Sequence, residues 1–108
     1  MELEEICFQM ITEAGEAKSC YMEALEAAAE KDARLAEAKM EEGDRAFSRA
    51  HESHGELIRR ESGGEPVTVS LLLAHVEDQL MSAEVIRVTA RELIRVYGRL
   101  DERNGGRK

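Results

Sequence analysis

The stretch Val69-Ser70-Leu71-Leu72-Leu73-Ala74-His75-Val76-Glu77-Asp78-Gln79-Leu80-Met81 opens the longest helical pattern in the chain. Ser70 precedes the apolar run and is predicted to be the N-cap of the helix, with Thr68 as the alternative. His75 and Asp78 are three residues apart, so they share one face of this helix. Polar groups inside an apolar run cost free energy unless they have partners or a function. The stretch therefore predicts a helix that carries a candidate functional histidine.

Helical spacing of apolar residues accounts for nearly all of the remaining sequence. The segment Glu61–Pro66 contains two glycines and a proline and is predicted to separate the second helix from the third. Asp32 is predicted to cap the second helix. We expect an all-α fold with three antiparallel helices in one domain over residues 1–100. The predicted helices cover about residues 3–29, 33–60 and 71–100, and residues 101–108 are predicted to be a disordered tail.

The third helix carries two stripes at helical spacing, and one of them is enough to close a three-helix domain. A second stripe indicates burial against another copy of the chain, so we expect a homo-oligomer. The small core that Ala-rich helices build supports the same expectation. The second stripe consists of Leu71, His75, Asp78, Ser82, Val85 and Thr89.

Composition excludes several classes of function. The formal net charge of -8 argues against nucleic acid and against anionic membrane surfaces as partners. The N-terminal residues are acidic, unlike a signal peptide, and no apolar run is long enough to span a bilayer. We therefore expect a cytoplasmic protein. Cys7 and Cys20 would lie roughly 20 Å apart along one helix, which excludes a disulfide between them and predicts reduced thiols.

His75 has a functional interpretation and a structural one. A histidine in an apolar run is commonly a core residue that donates one hydrogen bond. The functional interpretation starts from its place in the second turn, where the ring leans back toward the free amide groups of the first turn. That end of a helix favours negative charge. A neutral imidazole, with an ordinary pKa of about 6.5, is also a nucleophile that accepts and passes on a phosphoryl group.

His51 and His54 are spaced like a pair of metal ligands, with Glu52 between them. A structural zinc site needs about four ligands, and the sequence offers no obvious third and fourth. A solvated helix face is therefore the favoured interpretation of these residues.

Gly15 and Asp78 each leave two interpretations open. Gly15 is either a tolerated defect in the first helix or a position that leaves open space beside a neighbouring subunit's His75. Asp78 either orients His75 or meets its own copies at the axis of a symmetric trimer. Three carboxylates at such an axis would repel one another and would need a cation such as Mg²⁺.

Three blocks of the sequence resemble a known family. They are Ala14–Ser19 with Met22–Leu25, Ala50-His51 with Glu56–Ile58, and above all Val69–Met81. The chain resembles the enzyme IIA component of the lactose/cellobiose (chitobiose) branch of the bacterial phosphoenolpyruvate-dependent sugar phosphotransferase system. The similarity spans about residues 3–100.

The resemblance implies a three-helix bundle that forms a homotrimer of nine helices. It implies that His75 accepts a phosphoryl group from phosphohistidine on the carrier protein HPr and donates it to a cysteine of the cognate enzyme IIB. The family's axial, cation-binding aspartate falls on Asp78, so Mg²⁺ at the trimer axis is the expected cofactor, with no organic cofactor. We therefore expect a phosphotransferase component of sugar transport.

Two positions depart from the family pattern His-Ala-Gln-Asp-His. Glu77 stands where the family has an amide, and Gln79 replaces a second histidine. With Gly15, they form the predicted environment of the phosphoryl group. Glu77 would weaken a bound phosphoryl group or favour a cation, whereas Gln79 still forms hydrogen bonds but does not titrate near neutral pH. The competing functions are a histidine phosphotransfer domain of two-component signalling and a non-catalytic helical interaction module.

Overall fold

The computed structural model describes residues 2–105, with side chains as far as Arg103. They form three long helices joined by short connections, as predicted. The first helix matches its predicted bounds, and the other two extend beyond theirs. The helices are α1 (Leu3–Ala29), α2 (Ala33–Ser62) and α3 (Leu71–Gly105).

Both predicted N-caps are confirmed. The backbone N–H of Leu35 donates to the side chain of Asp32 at 3.1 Å, and the N–H of Leu73 donates to Ser70 Oγ at 3.1 Å. Each side chain satisfies a donor that the first turn of its helix would otherwise leave unpaired. At the other end of the second connection, Gly64 adopts a φ of +88°, a left-handed conformation that glycine reaches without strain. Local chemistry therefore ends α2 and starts α3.

The predicted disordered tail is wrong for its first five residues. The structure continues α3 through Gly105, and residues 106–108 lie outside the described residues. The extension has a physical basis, because the Arg and Glu residues of this segment favour helix. Lys31, in the turn after α1, also lies 3.8 Å from Asp101.

The core is a seam of small side chains from all three helices. On α1 its centre is Tyr21, which is fully buried and lies against Gly43 of α2, where a Cβ atom would stand 2.6 Å from the ring. The buried face of α2 does not follow its large apolar residues, since Leu35 and Ile58 are about half exposed. Gly43 determines which face of α2 is buried, because a Cβ atom at this position would clash with the Tyr21 ring. The buried residues of α2 are Ala36, Met40, Gly43, Ala46, Phe47, Ala50 and Leu57.

A polar cluster joins α3 to the other helices beyond this core. Asp44 accepts hydrogen bonds from the Tyr21 hydroxyl at 2.8 Å and from Arg87 Nε at 3.0 Å, and Arg91 lies 3.2 Å from its second oxygen. The Arg87 guanidinium also stacks 5.5 Å above the ring of Phe47. These contacts fix the rotation of α3 about its axis, which decides the residues that α3 presents outward.

The thiols behave as the sequence predicts. Cys7 and Cys20 are both buried and free. Burial raises the pKa of each thiol above its ordinary value, with nearby carboxylates such as Glu4 for Cys7 and Glu42 for Cys20 adding to the effect. A neutral buried thiol is a poor nucleophile and metal ligand, so both act as small core residues.

Candidate functional site

The second turn of α3 places His75 on an open surface. Val76 and Leu73 point into the core and are buried, whereas His75 is exposed. Its interpretation as a core histidine is therefore wrong, because the ring lies on the face of α3 that neither α1 nor α2 covers. An exposed imidazole is accessible to another protein, which is the first requirement for a group that is loaded and unloaded.

The outward face of α3 is apolar around this histidine. Leu71 is 89% exposed and Val85 is 65% exposed, although both belong to the second stripe that the sequence identified. Asp78 lies on the same stripe and is also exposed. A monomer rarely leaves such a row of large apolar side chains in water, so this face has the character of an interface.

The structure brings a residue to the site that the sequence analysis missed. Lys18 of α1 donates hydrogen bonds from Nζ to Gln79 Oε1 and, at 3.2 Å, to Ser82 Oγ. Gln79 and Ser82 follow His75 by four and seven residues, so all three lie in one row along α3. No periodicity in the sequence signals this contact, because Lys18 and Gln79 are 61 positions apart.

The Glu77 side chain was predicted to lie in the environment of the phosphoryl group, but within one protomer it contacts α2 instead. His54 Nε2 of α2 lies 2.8 Å and 3.0 Å from the two carboxylate oxygens of Glu77. Residues two positions apart on a helix do not face each other. Within one protomer the Glu77 carboxylate is therefore held on the α2 side of α3, away from His75.

The same contact decides the interpretation of the histidines on α2. His54 is half-buried against Glu77, so the solvated face expected for it is wrong, whereas His51 is exposed and lies 5.8 Å from the Phe47 ring. Across residues 2–105 no group of three or more His, Cys, Asp or Glu side chains is arranged to hold a metal ion. The two histidines thus have separate structural environments.

Gly15 leaves open space on the surface of α1. A Cβ atom built there meets no atom within 4 Å. Gly15 precedes Lys18 by one turn, and His75 precedes Gln79 by one turn. The α2 contacts of Arg49 with Glu16 and of His54 with Glu77 set the register of the bundle, and they place Gly15 about two turns further along its axis than His75. The role predicted for Gly15 beside a neighbouring subunit's histidine stays a prediction.

Comparison with known proteins decides the family. Residues 5–98 match the family model described as the lactose/cellobiose-specific IIA subunit of the phosphotransferase system. The chain belongs to this IIA family.

Individual relatives agree with this assignment over nearly the whole chain. The lichenan-specific phosphotransferase enzyme IIA component of Bacillus subtilis (strain 168) is 38% identical over 104 residues, which are 96% of this chain and 94% of that protein. The crystal structure of the cellobiose-specific enzyme IIA of Bacillus anthracis aligns with a TM-score of 0.90 at 37% identity and covers 94% of each chain.

A third relative was solved together with another protein. In the solution structure of the IIA(Chitobiose)–HPr complex of Escherichia coli, the matched chain aligns with a TM-score of 0.82 at 33% identity. The alignment covers 94% of this chain and 98% of that one. As a IIA protein, the chain is a phosphotransferase component in the phosphoryl relay of sugar uptake. Over residues 2–105, no helix has the length and apolar character needed to cross a bilayer.

Proposed function

We propose that His75 is the residue that carries the phosphoryl group. One observation supports this assignment above all: the imidazole is exposed on the open face of α3, with Lys18 bound to the row that follows it. The other two histidines have other surroundings, since His54 contacts Glu77 and His51 lies beside Phe47. His75 therefore combines access with a nearby positive charge.

The donor in this proposal is phosphohistidine on HPr, in keeping with the IIA(Chitobiose)–HPr complex of a relative. The lone pair of the neutral His75 ring nitrogen attacks phosphorus. The P–N bond to the donor imidazole breaks, and its electron pair returns to the donor nitrogen. Each ring keeps the proton on its other nitrogen, so the transfer needs no external base. The protein then only has to position the groups in line and balance their charge.

The acceptor in this proposal is a cysteine thiolate of the cognate enzyme IIB. Its sulfur attacks the phosphorus on His75, and a P–S bond forms as the P–N bond breaks. The electron pair of that bond returns to the His75 nitrogen, which restores the neutral imidazole for the next cycle. A cytoplasmic location, which the sequence predicts, is also part of this proposal.

We further propose that three chains assemble through the outward face of α3, with His75 at the edge of that interface nearest Gln79 and α1, where its ring stays open to HPr. Leu71 and Val85 would leave water in such a trimer, at a gain of about 25 cal/mol for each Å² of apolar surface buried. Asp78 lies on the same face and would approach its own copies. Among the described residues 2–105, no three His, Cys, Asp or Glu side chains of one protomer are arranged to hold a metal ion, so a divalent cation fits at Asp78 only when copies share it.

A bound Mg²⁺ would supply positive charge that offsets the repulsion between the Asp78 carboxylates. Sedimentation of the wild type and of Asp78→Leu, each with and without chelator, tests this role. Dissociation of the wild-type trimer by chelator would support a required cation. A wild-type trimer that chelator leaves intact, together with a more stable Asp78→Leu trimer, would show repelling carboxylates without a required metal.

Labelling tests the phosphoryl carrier itself. The protein is incubated with phosphoenolpyruvate, enzyme I and HPr, and the acid-labile label is located by peptide mapping. We expect label on His75 in the wild type and none in His75→Ala. His51→Gln is the matched control, because it removes an exposed histidine from α2 and should keep full labelling. An unlabelled protein in the presence of phosphorylated HPr would refute the proposal.

A further inference from the structure

Lys18 is unlike the other lysines that the structure describes. Lys31 and Lys39 each lie within 4.0 Å of a carboxylate, as expected in a chain of net charge -8. Over residues 2–105, no carboxylate lies within ion-pair distance of Lys18, which donates hydrogen bonds to the neutral side chains of Gln79 and Ser82. Its positive charge is therefore not neutralised within the protomer.

The contact fixes the direction of the Gln79 amide. A lysine ammonium has only donors, so it takes the carbonyl oxygen of the glutamine. The amide nitrogen at the other side of the group keeps its two N–H donors for other acceptors. Helical side chains lean toward the N-terminus of their helix, and the residue one turn before Gln79 in that direction is His75.

The surface around His75 has space for a tetrahedral anion. The His75 side chain is exposed, and so are its neighbour Ala74 and Leu71 one turn earlier. A phosphoryl group on the His75 ring therefore has room on the outward face of α3.

We propose that Gln79 and Lys18 are positioning residues for the phosphoryl group on His75. The Gln79 amide donates to a phosphoryl oxygen. The Lys18 ammonium holds the Gln79 carbonyl and places a positive charge near the anion, so the phosphorylated form is stabilised over the free imidazole. This inference rests on the proposed function, and no bond other than the transferred P–N bond changes.

The direct measurement is the equilibrium partition of label between HPr and this protein. Lys18→Met and Gln79→Leu should each lower the labelled fraction of this protein. The equilibrium constant for transfer from HPr should fall by up to about tenfold. Lys18→Arg keeps the charge and the donors and should stay within about threefold of the wild type. Lys31→Met is the matched control, since it removes one positive charge from the turn after α1 and should leave the partition unchanged.

A second measurement separates this inference from the proposed function. Phosphoramidate transfers a phosphoryl group to histidine without any carrier protein. If HPr does not label the wild type but phosphoramidate labels His75 more slowly in Lys18→Met than in Lys31→Met, the relay fails and the positioning role stands. Equal labelling rates and equal partition for Lys18→Met and the wild type, with equal urea midpoints, would overturn the positioning role.

Discussion

Replacing Gly43 with alanine tests the packing that sets the buried face of α2. The added Cβ atom would lie 2.6 Å from Tyr21 Cε1 and 2.9 Å from Cδ1. Carbon atoms in good contact are about 3.5–4.0 Å apart, so one of the two groups must move. The ring has little freedom to do so, because it is fully buried and its hydroxyl is hydrogen-bonded to Asp44 at 2.8 Å.

Two opposing effects determine the size of the change. Alanine in a helix interior is favoured over glycine by about 1 kcal/mol. Overpacking a tight core costs about 1–3 kcal/mol, and the tethered Tyr21 ring places this site in the upper part of that range. We therefore expect Gly43→Ala to lower the free energy of unfolding by about 1–2 kcal/mol.

Gly98→Ala is the matched control, because Gly98 lies within α3 and a Cβ atom there meets nothing within 4 Å. It should raise stability by about 0.5–1 kcal/mol. Urea unfolding followed by far-UV circular dichroism measures both, at one protomer concentration because oligomers gain stability with concentration.

A midpoint for Gly43→Ala at or above that of the wild type would refute the packing argument. A double-mutant cycle gives a second check, since the clash requires the aromatic ring. In a Tyr21→Leu background, the cost of Gly43→Ala should fall, and an unchanged cost would place its origin elsewhere.

Three further predictions concern individual contacts. Burial, followed by the hydrogen bond to Asp44, raises the pKa of Tyr21 above its ordinary value of 10.0. The unfolded chain therefore loses this proton first, so wild-type stability should fall as pH rises above about 10, and Tyr21→Phe should show a smaller fall in urea midpoint. Ser70→Ala removes the cap of α3 and should cost about 0.5–2 kcal/mol in the same assay, and no loss would contradict the role of that hydrogen bond. A cycle of His54→Gln and Glu77→Gln should give a coupling of about 0.2–1 kcal/mol, because the pair is partly exposed, and zero coupling would mean that the contact does not stabilise the fold.

The helices were predictable because their signals are local. Helix formation follows from the three-four spacing of apolar residues. The caps Asp32 and Ser70 set where α2 and α3 begin, and the glycines before Pro66 bring α2 to an end. The end of α3 was predicted too early, because the Arg and Glu residues after Leu100 favour helix although glycines follow them. The buried face of α2 is not evident from apolar spacing, because a glycine, Gly43, provides its contact with Tyr21.

The sequence by itself determined the helical class, the residue at which each helix begins and the choice of His75 as the residue of interest. Each of these depends on interactions within a few residues along the chain, which spacing and composition record. Only the tertiary structure decided that Lys18 binds Gln79 and that His54 binds Glu77. These contacts join different helices, and they depend on how the helices are rotated about their axes, which packing around Tyr21 and Asp44 fixes and no local pattern encodes.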